Sequence, residues 1–148
     1  MKTIFLLVFP IIAFSTYLTV GIDYDLSWFP YIGFGDQSGN DRFEMCFGFR
    51  NISDVWTVKI FGTYAKNFWK GFEGFVSVES FLTPGGNGEL NSLEYSERSF
   101  VYIAAAGISY SFDLGFLGVN FSLGESFVLP LGASSDTIPA LKLSFGIR

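Results

Sequence analysis

The sequence predicts an all-β fold, an antiparallel up-and-down barrel of eight strands. Hydrophobic residues alternate with small or polar residues along most of the chain, and 20% of the residues are aromatic while only 16% are charged. The predicted connections are also unequal, with the long ones all on one side. Because successive side chains of a strand point to opposite faces, a period of two gives each strand one apolar and one polar face.

The composition indicates a surface that faces something other than water. Of the 148 residues, 49% are hydrophobic, and the charged fraction is well below the roughly 25% of an average soluble protein. The formal net charge is −5, and Lys and Arg form no cluster, which argues against nucleic acid as a partner. The single cysteine, Cys46, has no partner for an internal disulfide, and we interpret it as a small packing residue.

The N-terminal residues predict a secretory signal. A basic start at Lys2 precedes the apolar run 4–12, and Ala13 and Ser15 supply the small residues that a signal peptidase accepts. We expect a cleaved signal over residues 1–15, with an alternative end at residue 21, and a barrel domain over 16–148. An uncleaved membrane anchor remains open, because apolar character continues weakly through residues 18–22.

The first four predicted strands cover residues 17–25, 28–35, 42–50 and 55–64. In the first, the apolar set Leu18, Val20, Ile22 and Tyr24 opposes Thr19, Gly21, Asp23 and Asp25. The second is the weakest, because Pro30 interrupts it. The third alternates most clearly, with Phe43, Met45, Phe47 and Phe49 against Arg42, Glu44, Cys46, Gly48 and Arg50. In the fourth, Trp56, Val58, Ile60 and Tyr64 oppose Thr57, Lys59 and Thr63, with Phe61 as an exception.

The last four predicted strands cover residues 71–82, 100–112, 115–124 and 140–148. The fifth sets Phe72, Val76 and Val78 against Glu73, Ser77 and Glu79. The seventh sets Leu117, Val119, Phe121 and Leu123 against Asn120 and Ser122. The eighth sets Leu141, Leu143, Phe145 and Ile147 against Ala140, Lys142, Ser144, Gly146 and Arg148. Eight is the smallest common strand number for a closed membrane barrel.

The predicted connections differ in length according to side. The long ones, 83–99 and 125–139, lie with 26–27 and 51–54 on the side away from the termini. The three on the side of the termini are short: 36–41, 65–70 and 113–114. Transmembrane barrels have this asymmetry, with short periplasmic turns and longer external loops.

The polar faces of the predicted strands carry few charges, and these balance. Five acids face five bases, a set that suits the interior of a narrow barrel better than a water-exposed coat. We therefore predict a polar network in the lumen formed by Asp23, Asp25, Arg42, Glu44, Arg50, Lys59, Glu73, Glu79, Lys142 and Arg148. Aromatic residues near strand ends, such as Trp56 and Tyr102, predict girdles at two membrane interfaces.

In this strand pattern, residues 17–148 resemble the small eight-stranded outer-membrane β-barrel proteins of bacteria. The resemblance implies a location in the outer membrane and contact with the lipid bilayer, and we expect a monomer. Members of that class usually end in an aromatic residue, whereas this chain ends Phe145-Gly146-Ile147-Arg148. The strand pattern thus matches while the final residue departs from it.

No enzyme chemistry is predicted. The chain has no histidine, which removes the usual general base and the commonest metal ligand. Glu73 and Glu79 would lie about 20 Å apart on one strand, whereas the carboxylate pair of a glycosidase lies within about 10 Å. We expect no catalytic residues, no metal site and no cofactor.

The leading functional hypothesis is a surface-exposed structural or interaction scaffold whose external loops, 83–99 and 125–139, make the contacts. These loops are acidic, which favours a basic partner or one bridged by divalent cations; their acids are Glu89, Glu94, Glu97, Glu125 and Asp136. Two alternatives remain: a narrow passive pore, and a secreted soluble barrel of the lipocalin kind that binds a small apolar ligand in its interior.

We predict that the exported protein lacks its first 15 residues, because Ala13 and Ser15 occupy the two positions that a signal peptidase reads. The intact mass of the membrane-inserted protein checks this. Retention of Met1 and Lys2 would favour the anchor alternative instead.

Overall fold

The computed structural model describes residues 17–24, 28–52, 55–82, 88–90, 93–95, 100–129 and 137–147. It contains ten strands: β1 (Tyr17–Tyr24), β2 (Trp28–Ser38), β3 (Asp41–Ile52), β4 (Val55–Trp69), β5 (Phe72–Leu82), β6 (Gly88–Leu90), β7 (Leu93–Tyr95), β8 (Phe100–Asp113), β9 (Leu117–Leu129) and β10 (Ile138–Ile147). Eight of them form one closed antiparallel barrel, as predicted, while β6 and β7 form a separate two-stranded sheet. Among the described residues, no helix is long and apolar enough to cross a membrane.

The barrel closes through the pairing of its first and last strands. Leu18 lies opposite Ile147 and Tyr24 lies opposite Leu141, while the other barrel strands pair in chain order. The start of β1, the end of β10 and the short turns after β2, β4 and β8 lie together, and we call this side the turn end. The opposite side, with the connections after β1, β3, β5 and β9, is the loop end.

The outer face of the wall carries the apolar residues and the inner face carries the polar ones, as the alternation predicted. Leu18, Val20 and Ile22 are exposed on the outer face of β1, whereas Thr19 and Asp23 are buried in the lumen. β2 is a full strand despite Pro30, which lies on the outer face opposite Ile22. Residues 1–16 lie outside the described residues, and Gly21, the alternative end of the signal, lies within β1.

Several strands are longer than predicted. β2 continues to Ser38, β4 to Trp69 and β9 to Leu129, because pairing with a neighbouring strand continues through residues such as Gln37, Lys66 and Glu125, whose polarity predicted connections. The assignment of Glu125 to an external loop is therefore wrong: it lies exposed in β9, opposite Ala106 and Pro139. The predicted connection 125–139 shrinks to the residues between β9 and β10, and the predicted connection 83–99 contains β6 and β7.

We predict that a charge in the middle of the outer wall destabilises the barrel far more than a charge at its turn end. Leu143 is exposed and lies opposite Ile22 and Phe121. Leu143→Arg should cost about 2–4 kcal/mol of unfolding free energy if this position meets the hydrocarbon. The matched control Ser38→Arg, at the exposed end of β2, should change it by less than about 0.5 kcal/mol. Denaturant titration in lipid vesicles measures both, and equal losses would contradict the assignment of faces.

Candidate functional site

The barrel interior collects most of the charges that were predicted to line it. Seven of the ten are buried there: the acids Asp23, Glu44, Glu73 and Glu79 and the bases Arg42, Lys59 and Lys142. Arg50 lies instead at the loop-end rim, where its Nη1 donates a hydrogen bond of 2.7 Å to the carbonyl oxygen of Trp28. Asp25 and Arg148 lie outside the described residues.

Arg42 organises the charges nearest the turn end. Its Nη1 lies 2.6 Å from Glu44 Oε1, and its Nη2 lies 2.6 Å from Glu73 Oε2. The hydroxyl of Tyr17 donates to Glu44 at 3.0 Å. Asn120 and the neighbouring Ser109 donate to Glu73 Oε2 at 3.3 and 3.0 Å. Buried carboxylates require such partners, since an unpaired buried charge is strongly destabilising.

Lys59 forms a second cluster closer to the loop end. Its ammonium group contacts Asp23 and lies 2.6 Å from Glu79 Oε2. It also lies 5.0 Å from the ring centre of Phe81, 5.1 Å from that of Phe61 and 5.9 Å from that of Phe29. Two carboxylates and three aromatic faces thus replace the water that this cation loses, and Lys59 is 0% exposed.

Lys142 lies between the two clusters and connects them. Its ammonium group donates to Thr63 Oγ1 at 3.1 Å, lies 3.6 Å from Glu44 Oε2, and lies 4.3 Å from the centre of the Phe61 ring. Counting only the buried residues that the structure describes, three bases face four acids. This part of the lumen therefore carries one more acid than base, in place of the predicted balance.

Aromatic residues of the lumen are the part of the site that the sequence analysis missed. Phe29 and Phe81 meet edge to face at 5.3 Å, and Phe61 meets Tyr31 in the same way at 5.0 Å. The sequence did contain this information. Phe61 lies two residues after Lys59, and Phe81 lies two residues after Glu79, so each ring points to the same face of its strand as the charged residue. The opposing strand makes room for such rings with glycine: a Cβ at Gly21 would lie 2.6 Å from the Tyr31 ring.

Together these side chains close the middle of the barrel. Phe29, Lys59, Phe61, Phe81 and Ile103 are each at most 2% exposed. A cavity of about 230 Å³ faces the turn end; its lining includes Tyr17, Thr19, Arg42, Glu44, Glu73, Asn67 and Asn120. In the part of the chain that the structure describes, no group of three or more His, Cys, Asp or Glu is arranged to hold a metal ion.

The predicted acidic loop residues do not form a described site. Glu89 in β6 lies opposite Glu94 in β7, while Glu97 and Asp136 lie outside the described residues. Since Glu125 belongs to the wall, the acidic character of the loop end remains a prediction from the sequence.

The outer wall has the composition of a surface that faces lipid. Aromatic residues lie towards both ends, as in the contacting pairs Tyr24–Trp28 and Phe43–Tyr64, each with ring centres 4.8 Å apart. Exposed aliphatic residues lie between them: Val20, Ile22, Ile32, Ile60, Val78, Leu123 and Leu143. A water-soluble barrel with an apolar interior would have the opposite arrangement, so the lipocalin-like alternative is wrong.

Comparison with known proteins shows the fold. No protein-family model matches the chain, and no curated protein sequence matches it significantly. The structure is similar to the N-terminal β-barrel domain of OprF from Pseudomonas aeruginosa, with a TM-score of 0.53 and 12% identity, over 88% of this chain and 96% of that one. Neisserial surface protein A (NspA) gives a TM-score of 0.42 and 12% identity, over 88% of this chain and 91% of that one. The chain therefore has the closed, eight-stranded antiparallel β-barrel fold of the OprF domain.

Proposed function

We propose that this protein spans the outer membrane of a bacterium and serves there as a structural or interaction scaffold, with its contacts made at the cell surface. The observation that carries the proposal is the filled lumen. Lys59 and its aromatic neighbours occupy the middle of the barrel, which supports a role that does not depend on passage through the lumen. The surfaces of the barrel and its connections are then what the molecule can use.

The outer wall supports the membrane location. On β3, the exposed Phe43 and Phe49 are six residues apart, or about 20 Å along the strand. At the strand tilt of a transmembrane barrel, this length spans about 15 Å of height, so both rings fit within an apolar band about 25 Å tall. The predicted secretory signal and the resemblance of the strand pattern to small outer-membrane barrels agree with this location.

The buried ion pairs argue against a passive pore. With the rings around it intact, a passage would require Lys59 to leave Asp23 and Glu79. Separating a buried ion pair costs about 3–5 kcal/mol when one partner is removed and the other stays uncompensated. We infer that the barrel stays closed and that its role is not passive permeation.

The loop end supports a role in contacts outside the cell. With both termini on the periplasmic side, the connection that contains β6 and β7 and the connection between β9 and β10 face outward. The first carries Glu89, Glu94 and Glu97 against Arg98 and the second carries Asp136, so the partner that fits them is basic or is bridged by divalent cations. Cell-surface interaction through these segments is the specific role that we propose.

We predict that the wild-type protein gives no steady conductance in a planar lipid bilayer. Phe29→Ala with Phe81→Ala removes two rings of the plug and should produce channel openings. The control pair Phe49→Ala with Phe121→Ala removes two exposed rings of the outer wall and should remain silent. Steady conductance of the wild type, equal to that of the plug variant, would contradict the proposal of a closed scaffold.

We also predict the orientation of the barrel in the cell. An epitope tag at Gly86-Asn87, between β5 and β6, should be labelled on intact cells, because polar loop tips accept insertions. A tag at Gly39-Asn40, in the β2–β3 turn, should be labelled only after the outer membrane is permeabilised. The reverse pattern would invert the topology and assign surface contacts to the turn end.

A further inference from the structure

Large apolar side chains continue beyond the outer wall into two of the three short turns at the turn end. At the end of β4, next to the β4–β5 turn, Phe68 is 64% exposed and Trp69 is 57% exposed, and in the β8–β9 turn Phe116 is 75% exposed. Leu114 is exposed in the same turn. We call these four residues, with Phe72 and Phe112, the turn-end aromatic patch. Turn tips in water are ordinarily polar, so this patch indicates an environment that is less polar than water.

The patch is continuous with the wall above it. Trp69 stacks on Phe72 at 5.6 Å between ring centres, Phe72 contacts Tyr110 at 4.8 Å, and Tyr110 is 6.1 Å from Phe112. This row of rings crosses from β4 through β5 to β8. An apolar surface that runs without a break from a lipid-facing wall into the turns is most simply covered by the same lipid.

The two turns hold these side chains in defined positions. Lys70 and Gly71 have positive φ angles of 41° and 90°, as a two-residue hairpin turn requires, and the amide of Ser111 donates to the carbonyl of Gly71 at 2.7 Å. In the other turn, the amide of Gly115 donates to the Asp113 carboxylate at 2.8 Å. The exposed rings are therefore presented by hydrogen-bonded turns.

The third turn, between β2 and β3, is polar; it neighbours the end of β4, where the amide of Asn67 donates to the carbonyl of Asn40 at 2.7 Å, and lies across the barrel from the β8–β9 turn. The end of β2 and the β2–β3 turn read Asp36-Gln37-Ser38-Gly39-Asn40-Asp41, and Asp41 lies 4.0 Å from Lys66 in an exposed ion pair. The apolar surface on this side stops higher, at the contacting rings of Phe43 and Tyr64. The lower edge of the lipid-facing surface is thus oblique to the turn end.

We propose that the barrel sits tilted in the bilayer, with its β4–β5 and β8–β9 turns embedded in the headgroup region of the periplasmic leaflet and its β2–β3 turn in water. The occupant of the patch is phospholipid. Trp and Tyr rings favour this region of a membrane, and Lys70, whose ammonium lies 5.8 Å from the Trp69 ring centre, is placed to reach lipid phosphate. The inference rests on the membrane location proposed above.

Tryptophan fluorescence tests the proposal, because the chain has only three tryptophans, Trp28, Trp56 and Trp69. A variant with Trp28→Phe and Trp56→Phe keeps Trp69 alone. In vesicles that contain brominated phosphatidylcholine in both leaflets, its emission should be shifted to the blue, quenched by the brominated lipid and largely protected from aqueous iodide.

The matched control keeps a single tryptophan at the polar turn, through Ser38→Trp at the exposed end of β2 combined with Phe at all three native tryptophans. Its quenching by brominated lipid should be several-fold weaker than that of Trp69, and its quenching by iodide should be stronger. Equal behaviour of the two variants would overturn the tilt. Trp69 open to iodide and untouched by brominated lipid would overturn it too, and would assign the patch to a protein partner or a second copy.

A third variant separates this inference from the proposed function. It keeps Trp28 alone, at the loop-end belt, where the side chain is exposed beside Tyr24. Quenching of Trp28 by brominated lipid without quenching of Trp69 would leave the membrane location standing and reject the tilt. Absence of quenching at both Trp28 and Trp69 would reject both the membrane location and the tilt.

Discussion

Hydrogen bonding between β1 and β10 closes the sheet, and the other features of the barrel follow from that closure. Inside hydrocarbon an unpaired backbone amide or carbonyl costs several kcal/mol, so a sheet that crosses a membrane can have no free edge. Closing eight strands on themselves leaves an interior only wide enough for side chains. Each residue that faces inward must then fit its neighbours in both volume and charge.

That requirement explains why the lumen combines ions, rings and glycine. In the proposed membrane location the polar face of each strand avoids lipid by facing inward, but a charge enclosed there needs a counter-charge within contact distance. Arg42 and Lys59 each contact two carboxylates, and the aromatic residues around Lys59 fill the volume that ions alone would leave to water. Glycines such as Gly21 accommodate the rings opposite them.

The strand order and the facing of residues were predictable because both depend on a period of two, which is local in sequence. Lys59 and Glu79 were recognisable as lumen residues by parity alone. Their mutual contact was not, because register between distant strands depends on turn geometry and on how far each strand extends. The end of β9 was missed for a related reason: Glu125 signals a loop by its charge, yet the wall continues past it to Leu129. Phe61 was set aside as an exception because hydrophobic type was given more weight than position.

The ion pairs of the lumen join strands that are far apart in the chain, as Lys59 of β4 joins Asp23 of β1 and Glu79 of β5. To separate two neighbouring strands within the bilayer, the wall must turn these charges and the unpaired backbone towards hydrocarbon, at a depth where charged side chains are costly. The transition state for opening therefore lies high whatever the equilibrium between folded and unfolded chain. In the proposed membrane location, the lifetime of the barrel is accordingly set by the rate at which it opens, so that its persistence there is a kinetic property.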